Sequence, residues 1–379
     1  MAGIYIHIPF CRKACNYCNF HFSTGLKNKA EMVQAIAKEI KQAGEKQKAE
    51  SNDVIETIYF GGGTPSLITA QELDTILNAV DAAYTIASDA EITLETNPDD
   101  HTHEALTAWK TAGINRLSIG VQSFFENDLL WMNRAHNATQ SIDCIKAAQD
   151  KGFSNLTIDL IYGIPGLTDE GWKLNFDTAI ALGIPHLSCY ALTVEPKTAL
   201  DNFIAKGKMQ AVDSGQQASQ FLLLMDWAAA AGLEHYEISN FAKPGHRSRH
   251  NSNYWSGVPY YGFGPSAHSF DGEKTRSWNV ANNALYMQGI QNNLPVSEAE
   301  TLTAVQQQNE YIMTGLRTIE GVLATGDKQH AIGKADFELL KSRARKWEQQ
   351  GKIIIERNAI KLTNEGKLFA DGIAGDLFF

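Results

Sequence analysis

Cys11, Cys15 and Cys18 put three thiols within eight residues, spaced C-x3-C-x2-C. They follow the apolar-alternating run Gly3-Ile4-Tyr5-Ile6-His7-Ile8. Electron-transfer iron–sulfur clusters are ordinarily held by four cysteines. Three thiolates leave one iron without a protein ligand, so the spacing points to chemistry at an open iron rather than electron storage alone. Arg12, Lys13 and Asn16 between the thiols argue against core packing. A structural zinc site is the rival reading, because adding His21 gives C-x3-C-x2-C-x2-H, a Cys3His ligand set. These residues alone leave both readings open.

The chain that must position them has 379 residues, enough for two domains or one large domain with an appendage. Hydrophobic residues make up 44%, which supports a packed core and argues against broad disorder. A net charge of −10 disfavours nonspecific binding to nucleic acid. The N-terminus shows no basic stretch followed by a long apolar segment, so no signal peptide is expected. The most apolar stretch, Phe221 to Leu233, carries Asp226 and is too short to span a bilayer comfortably. The expectation is a soluble, cytoplasmic protein with no transmembrane segment. Cys144 and Cys189 stand alone in periodic segments and read as buried free thiols.

From residue 3 to about 191, strand-like runs alternate with amphipathic helical ones. The strands expected are Gly3–Ile8, Val54–Phe60, Glu91–Thr96, Arg116–Gly120, Asn155–Ile161 and His186–Leu192. Between them lie helix faces such as Ala30-Val33-Ile36-Ile40 and Leu73-Ile76-Leu77-Val80. This alternation implies a parallel sheet with right-handed crossovers, either open and doubly wound or most of a barrel.

The strands are not continuously apolar, as doubly covered parallel strands usually are. With period two, one side carries Tyr5 and His7, Thr93 and Glu95, Ser118 and Gln122, Thr157 and Asp159, Ser188 and Tyr190. The other carries Ile4, Ile6 and Ile8, Ile92 and Leu94, Leu117 and Ile119, Ile158 and Leu160, Leu187 and Cys189. Side chains alternate across a strand, so a sheet curled around a polar lumen fits best. Reactive groups in such barrels sit at the strand C-terminal ends. There the sequence places Gly61-Gly62-Gly63-Thr64-Pro65, followed by Thr69 as a helix cap, and Gly163-Ile164-Pro165-Gly166.

A first strand entering C-x3-C-x2-C and a second ending in GGGTP resemble the radical S-adenosylmethionine (SAM) superfamily. Four segments narrow the resemblance: Tyr5 to Cys11, Gly61 to Pro65, Gly120-Val121-Gln122-Ser123-Phe124, and Asp159 to Gly166. Together they resemble the oxygen-independent coproporphyrinogen III oxidase family and its heme-chaperone branch. The resemblance implies a partial (β/α)6 barrel holding a [4Fe–4S] cluster on Cys11, Cys15 and Cys18. It implies that SAM chelates the fourth iron and is cleaved to methionine and a 5′-deoxyadenosyl radical on electron transfer. It carries Tyr5, Tyr17, Gly62 and Glu95 to the primary SAM. Gly63, Thr64, Gln122, Arg134 and Asp159 match positions lining a second SAM pocket in the oxidase.

The two branches differ at a readable place. The oxidase resembles C-x3-C-x2-C-x-C, whereas this chain has Phe20 where the fourth cysteine would stand. The chain also starts almost at the first strand, where the oxidase carries an extension. His250-Asn251-Ser252-Asn253-Tyr254-Trp255 resembles the H-N-x-x-Y-W signature of the chaperone branch. The resemblance therefore implies heme as ligand, with His250 as a candidate for its iron and His246 and His268 nearby. It further implies an acceptor protein for the heme and an electron donor such as a flavodoxin or ferredoxin. The alternatives are a coproporphyrinogen oxidase and a barrel whose cysteines hold structural zinc.

Residues 1–200 are expected to form the core, 201–295 an extension closing the barrel mouth, and 296–379 a separate C-terminal unit. In that last unit, helical periodicity over Thr303–Leu316 and Ala335–Gln349 precedes a hairpin-like pair, Lys352–Ile355 and Ala359–Leu362. This resembles a mainly helical, winged-helix-like module, read as a cover or docking domain rather than a nucleic-acid binder.

Overall fold

The computed structural model describes residues 1–50, 53–324 and 332–379, with side chains described outside 46–50 as well. Six parallel strands run in chain order: β1 (Ala2–Ile8), β2 (Val54–Gly62), β3 (Thr85–Thr96), β4 (Arg116–Gln122), β5 (Leu156–Tyr162) and β6 (His186–Ala191). Each crosses over through at least one helix, as parallel neighbours require. The fold is the α/β class that the alternating elements imply.

The period-two pattern assigns the faces. Ile4, Ile6, Ile8, Leu94, Leu117, Ile119, Ile158, Leu160, Leu187 and Cys189 all enter one hydrophobic core under the helices. The opposite face converges: Tyr59, Glu95, Arg116, Ser118, Thr157, Asp159, Ser188 and Tyr190, from five different strands, line one polar cavity of about 40 Å³. A flat sheet could not bring them together, so the six strands curl around a lumen. Local signals start the helices where expected. Thr69 caps the helix Ala70–Ala83 in a reciprocal capping box with Glu72.

Strands that the sequence does not announce widen the sheet at both edges. Beyond β6 lie β7 (Glu234–Glu237) and β8 (Asn240–Ala242); beyond β1 lie β9 (Tyr260–Phe263), β10 (His268–Phe270), β11 (Thr275–Asn279) and β12 (Ser297–Thr301). The sheet runs from β12 to β7 and does not close on itself. Within the segment expected to cover the barrel mouth, Asn283 meets His21 of the cysteine loop on that rim. Its helix Arg249–Trp255 closes the opposite end, with the His250 backbone N–H on Glu91 Oε1 and the Arg249 guanidinium on Asp89. Asp89 and Glu91 lie on β3 ahead of Glu95, toward the strand's N-terminal side of the lumen.

The C-terminal part has a core of its own, built on Ile312, Leu316, Phe337, Leu340 and Ile373 among others. The expected hairpin is present as β14 (Ile353–Ile355) and β15 (Ala359–Leu362), and β13 (Val322–Leu323) adds a third strand that sequence reading missed. Among the described residues, no helix is long and apolar enough to cross a membrane. Cys144 and Cys189 are buried free thiols.

Glu39 ties the β9–β11 edge to the first helix (Lys29–Glu50). Its carboxylate accepts from Gly264 N at 2.9 Å, Asn279 Nδ2 at 2.7 Å and Tyr286 Oη at 2.5 Å. Burial nonetheless raises its pKa from 4.5 to about 7. Glu39→Ala leaves three donors without their acceptor and is expected to cost about 1–3 kcal/mol in urea unfolding. The native pKa exceeds the unfolded one, so the wild-type Glu39 contribution is complete below about pH 4.5. It declines as pH rises to about 7. Glu39→Gln should flatten that dependence.

Candidate functional site

The loop after β1 carries the three cysteines onto the rim where the strands end. Two backbone bonds clamp it to the glycine loop after β2: Gly63 N to Ile8 O at 2.9 Å and Thr64 N to Phe10 O at 2.7 Å. A Cβ on Gly63 would lie 2.6 Å from the Phe10 carbonyl oxygen, so no larger residue lets the loops approach this closely. The far side is held by the C-terminal end of the short helix Glu126–Trp131 and the residues that follow it. Asn16 donates its N–H to Met132 O and its side-chain amide to Trp131 O, and Asn133 Nδ2 donates to Ala14 O.

Cys11, Cys15 and Cys18 are half-buried and share one cavity of about 390 Å³ with the upper lumen. Of the residues expected near SAM, Tyr17, Gly62, Gly63, Thr64, Glu95, Gln122, Arg134 and Asp159 all line it. Tyr5 does not. It packs behind Gly61, where a Cβ would meet its ring at 2.9 Å, and its hydroxyl bonds His7 Nδ1 at 3.2 Å. Sequence reading missed Tyr59, whose hydroxyl donates to Glu95 Oε1 at 2.8 Å, and Asn97, which lines the cavity. Tyr59 pairs with Tyr5 across β1 and β2, so the inward face could have been extended to it.

Charge in the cavity is balanced by contact. Glu95 also accepts from Gly62 N at 3.2 Å. Burial foremost, then the nearby Asp159 charge, pushes Glu95 up to about 7. Burial likewise pushes Asp159 up to about 6, against the hydrogen bond from Ser188 and the charge of Arg134. Arg134 donates through Nη1 to Cys15 Sγ at 3.2 Å and through Nη2 to Asn97 Oδ1 and Gly120 O, both at 2.8 Å. Its Nε is buried without a partner.

These features fit a cluster with SAM beside it. Three thiols open onto one cavity, the Arg134 guanidinium lines it beside them, and Glu95 stands ready for a cation or hydroxyl. They do not fit a Cys3His zinc site. His21 turns to Asn283, with Nε2 2.7 Å from Oδ1, and does not line the cysteine cavity.

His250 lies at the other end of the lumen. It is 2% exposed, with Nδ1 2.8 Å from Thr57 Oγ1 and Nε2 3.0 Å from Tyr254 Oη. Its ring stacks on Tyr59 at 4.9 Å, and burial lowers it to about 3, so it is neutral. Both ring nitrogens are therefore engaged, and an iron there would have to displace one partner. His268 is exposed on β10 beside Trp278.

Residues 5–178 match the radical SAM superfamily model. The heme chaperone HemW of Bacillus subtilis is 34% identical over 390 aligned positions, covering 99% of this chain and 98% of that protein. HemW of Synechocystis is 37% identical over 84% of this chain and 78% of its own. The chain belongs to the HemW family. The HemW match runs through the cysteine loop, the lumen and the C-terminal unit alike. The coproporphyrinogen III oxidase HemN of Escherichia coli superposes with a TM-score of 0.83 at 21% identity, over 100% of this chain and 90% of that one. That likeness establishes the shared radical SAM fold.

Gly63→Ala tests the clamp. It is expected to cost about 1–3 kcal/mol through overpacking and to displace the cysteine loop. Iron and sulfide content after anaerobic reconstitution should drop while the far-ultraviolet circular dichroism stays that of the wild type.

Proposed function

We propose that this chain is a heme chaperone: it binds heme and passes it to an acceptor protein. The observation carrying this reading is the 34% identity to a HemW protein along essentially the whole of both chains. The local departure from the oxidase pattern supports it, since Phe20 stands 67% exposed on the cysteine loop where that pattern has a cysteine.

Cys11, Cys15 and Cys18 would hold a [4Fe–4S] cluster, and SAM would bind beside it. The pair supplies reductive SAM chemistry when bound. Thr64 Oγ1 donates toward Cys11 Sγ at 3.5 Å and Arg134 toward Cys15 Sγ, so two of the three sulfurs already receive hydrogen bonds from the protein. The Arg134 side chain would face the SAM carboxylate, Glu95 its ammonium or a ribose hydroxyl, and Asp159 and Gln122 the remainder of the pocket. We place the protein in the cytoplasm, where thiols stay reduced, in keeping with five free cysteines. A flavodoxin or ferredoxin would reach the cluster from the side of the exposed Arg12 and Lys13.

The oxidase reading makes the opposite forecast in one assay. Anaerobic incubation with coproporphyrinogen, SAM and a reductant should yield no stoichiometric protoporphyrinogen. A parallel hemin titration should give a heme complex that surrenders its heme to an added apo-acceptor. Turnover without heme binding would reverse the assignment.

Proton linkage gives a second test. With Glu95 near 7 and Asp159 near 6, a bound cation favours their ionised forms. SAM affinity of the reconstituted protein should therefore rise with pH between about 6 and 8. Below the pKa it should fall by about tenfold per unit for each proton released. Glu95→Gln should weaken binding and remove most of that slope.

A further inference from the structure

We propose that Tyr59 is a positioning residue for SAM, acting through Glu95: its hydroxyl fixes the Glu95 carboxylate toward the cavity that the three cysteines share. The inference rests on the SAM reading of that cavity and adds to it a residue that does not itself line it.

Glu95 lines the cysteine cavity and is held there by two donors. Among the described residues these are Tyr59 Oη, 2.8 Å from Oε1, and Gly62 N, 3.2 Å from Oε2. The Tyr59 bond is the shorter, and a hydroxyl donating to a carboxylate makes a charge-assisted bond. Each carboxylate oxygen thus has its own partner, which sets the plane of the group. The glycine run makes this contact possible. A Cβ on Gly61 would lie 3.0 Å from the Tyr59 ring and 3.2 Å from Glu95 Oε1, against donor and acceptor at once.

The Tyr59 ring is itself held. It stacks on His250 at 4.9 Å and 21° and on Tyr5 at 6.2 Å and 22°. Register holds it as well, since Tyr59 pairs with Tyr5 on β1 and with Thr93 on β3. A phenol anchored in this way loses little further side-chain entropy when it presents its hydroxyl.

The other charged and titratable groups around Glu95 are occupied elsewhere or act on it through charge. Arg116 is taken up by Asn155 and Thr157, and Arg134 by Cys15, Asn97 and Gly120. The Tyr5 hydroxyl turns to His7 and that of Tyr254 to His250. Asp159, Cys11 and Tyr190 bear on Glu95 as like charges when ionised. The hydrogen bond from Tyr59 therefore favours the ionised carboxylate that burial and Asp159 disfavour. A ligand carrying a sulfonium and an ammonium binds that ionised form.

The test is the SAM affinity of the full-length, anaerobically reconstituted protein, followed calorimetrically across neutral pH. Tyr59→Phe keeps the ring and its stacking and removes the donor. It should weaken SAM binding by about tenfold near pH 6, and the loss should shrink as pH rises above about 8, because the variant's Glu95 gives up its proton at higher pH. In the Glu95→Gln background, Tyr59→Phe should change the affinity by about twofold or less, since its effect passes through the carboxylate. In the SAM-free protein, the infrared carbonyl band of the protonated Glu95 side chain, recognised by its loss in Glu95→Gln, should persist to higher pH in Tyr59→Phe. Iron and sulfide content should stay at the wild-type level, which separates a local effect from misfolding. A loss of the same factor at every pH, or full additivity with Glu95→Gln, would reduce Tyr59 to a structural residue and overturn the proposal. An unchanged affinity in Tyr59→Phe would overturn it and leave the SAM reading intact. If the wild-type protein binds no SAM, the SAM reading itself fails and the proposal with it.

Discussion

Two short backbone contacts, from the amides of Gly63 and Thr64 to the carbonyls of Ile8 and Phe10, set the geometry on which the site depends. They fix the cysteine loop against the end of β2, and β2 in turn carries Tyr59, the partner of Glu95. The loop could not lie so close if residue 63 bore a side chain. Three thiols thus face the same opening as the lumen carboxylates. A cysteine triplet in a free loop would fix no such relation between sulfur and carboxylate.

The lumen is divided end from end. At the strand C-termini, Glu95, Asp159 and Arg134 form a buried charged set beside the thiols. At the N-termini, the helix Arg249–Trp255 acts as a stopper with two working faces. Asn251 reaches the polar cavity shared with Glu95 and Asp159, while Tyr254 and Trp255 face an aromatic cleft outside. His250 joins the two through Thr57 and Tyr254. One short helix therefore stands between the lumen and that cleft. Any coupling between them would have to pass through side chains already in contact.

Much of this was legible in the sequence, for a simple reason. Period-two alternation is a direct record of which face meets helices and which meets a lumen. It assigned Ile4, Leu117 and Leu160 to the core and Glu95, Ser118 and Asp159 to the interior. The cysteine spacing and the glycine run were equally plain, because both answer local demands. What the sequence hid depends on distant partners. Tyr5 belongs to the inward face but stands behind Gly61 rather than in the cavity. His250 meets Thr57 across 193 positions, which no local pattern reports. Strands β7 to β12 are only three to five residues long, and tertiary pairing rather than propensity forms them. The link from Arg134 to Cys15 was likewise invisible, since a lone arginine after a helix reads as surface.

The account turns on an iron that the protein leaves for SAM. Electron–nuclear spectroscopy of the reduced, reconstituted protein, with SAM isotopically labelled at its amino nitrogen, tests this directly. Hyperfine coupling between that nitrogen and the cluster is the expected result. A cluster spectrum indifferent to labelled SAM, with a fourth protein ligand in its place, would contradict it.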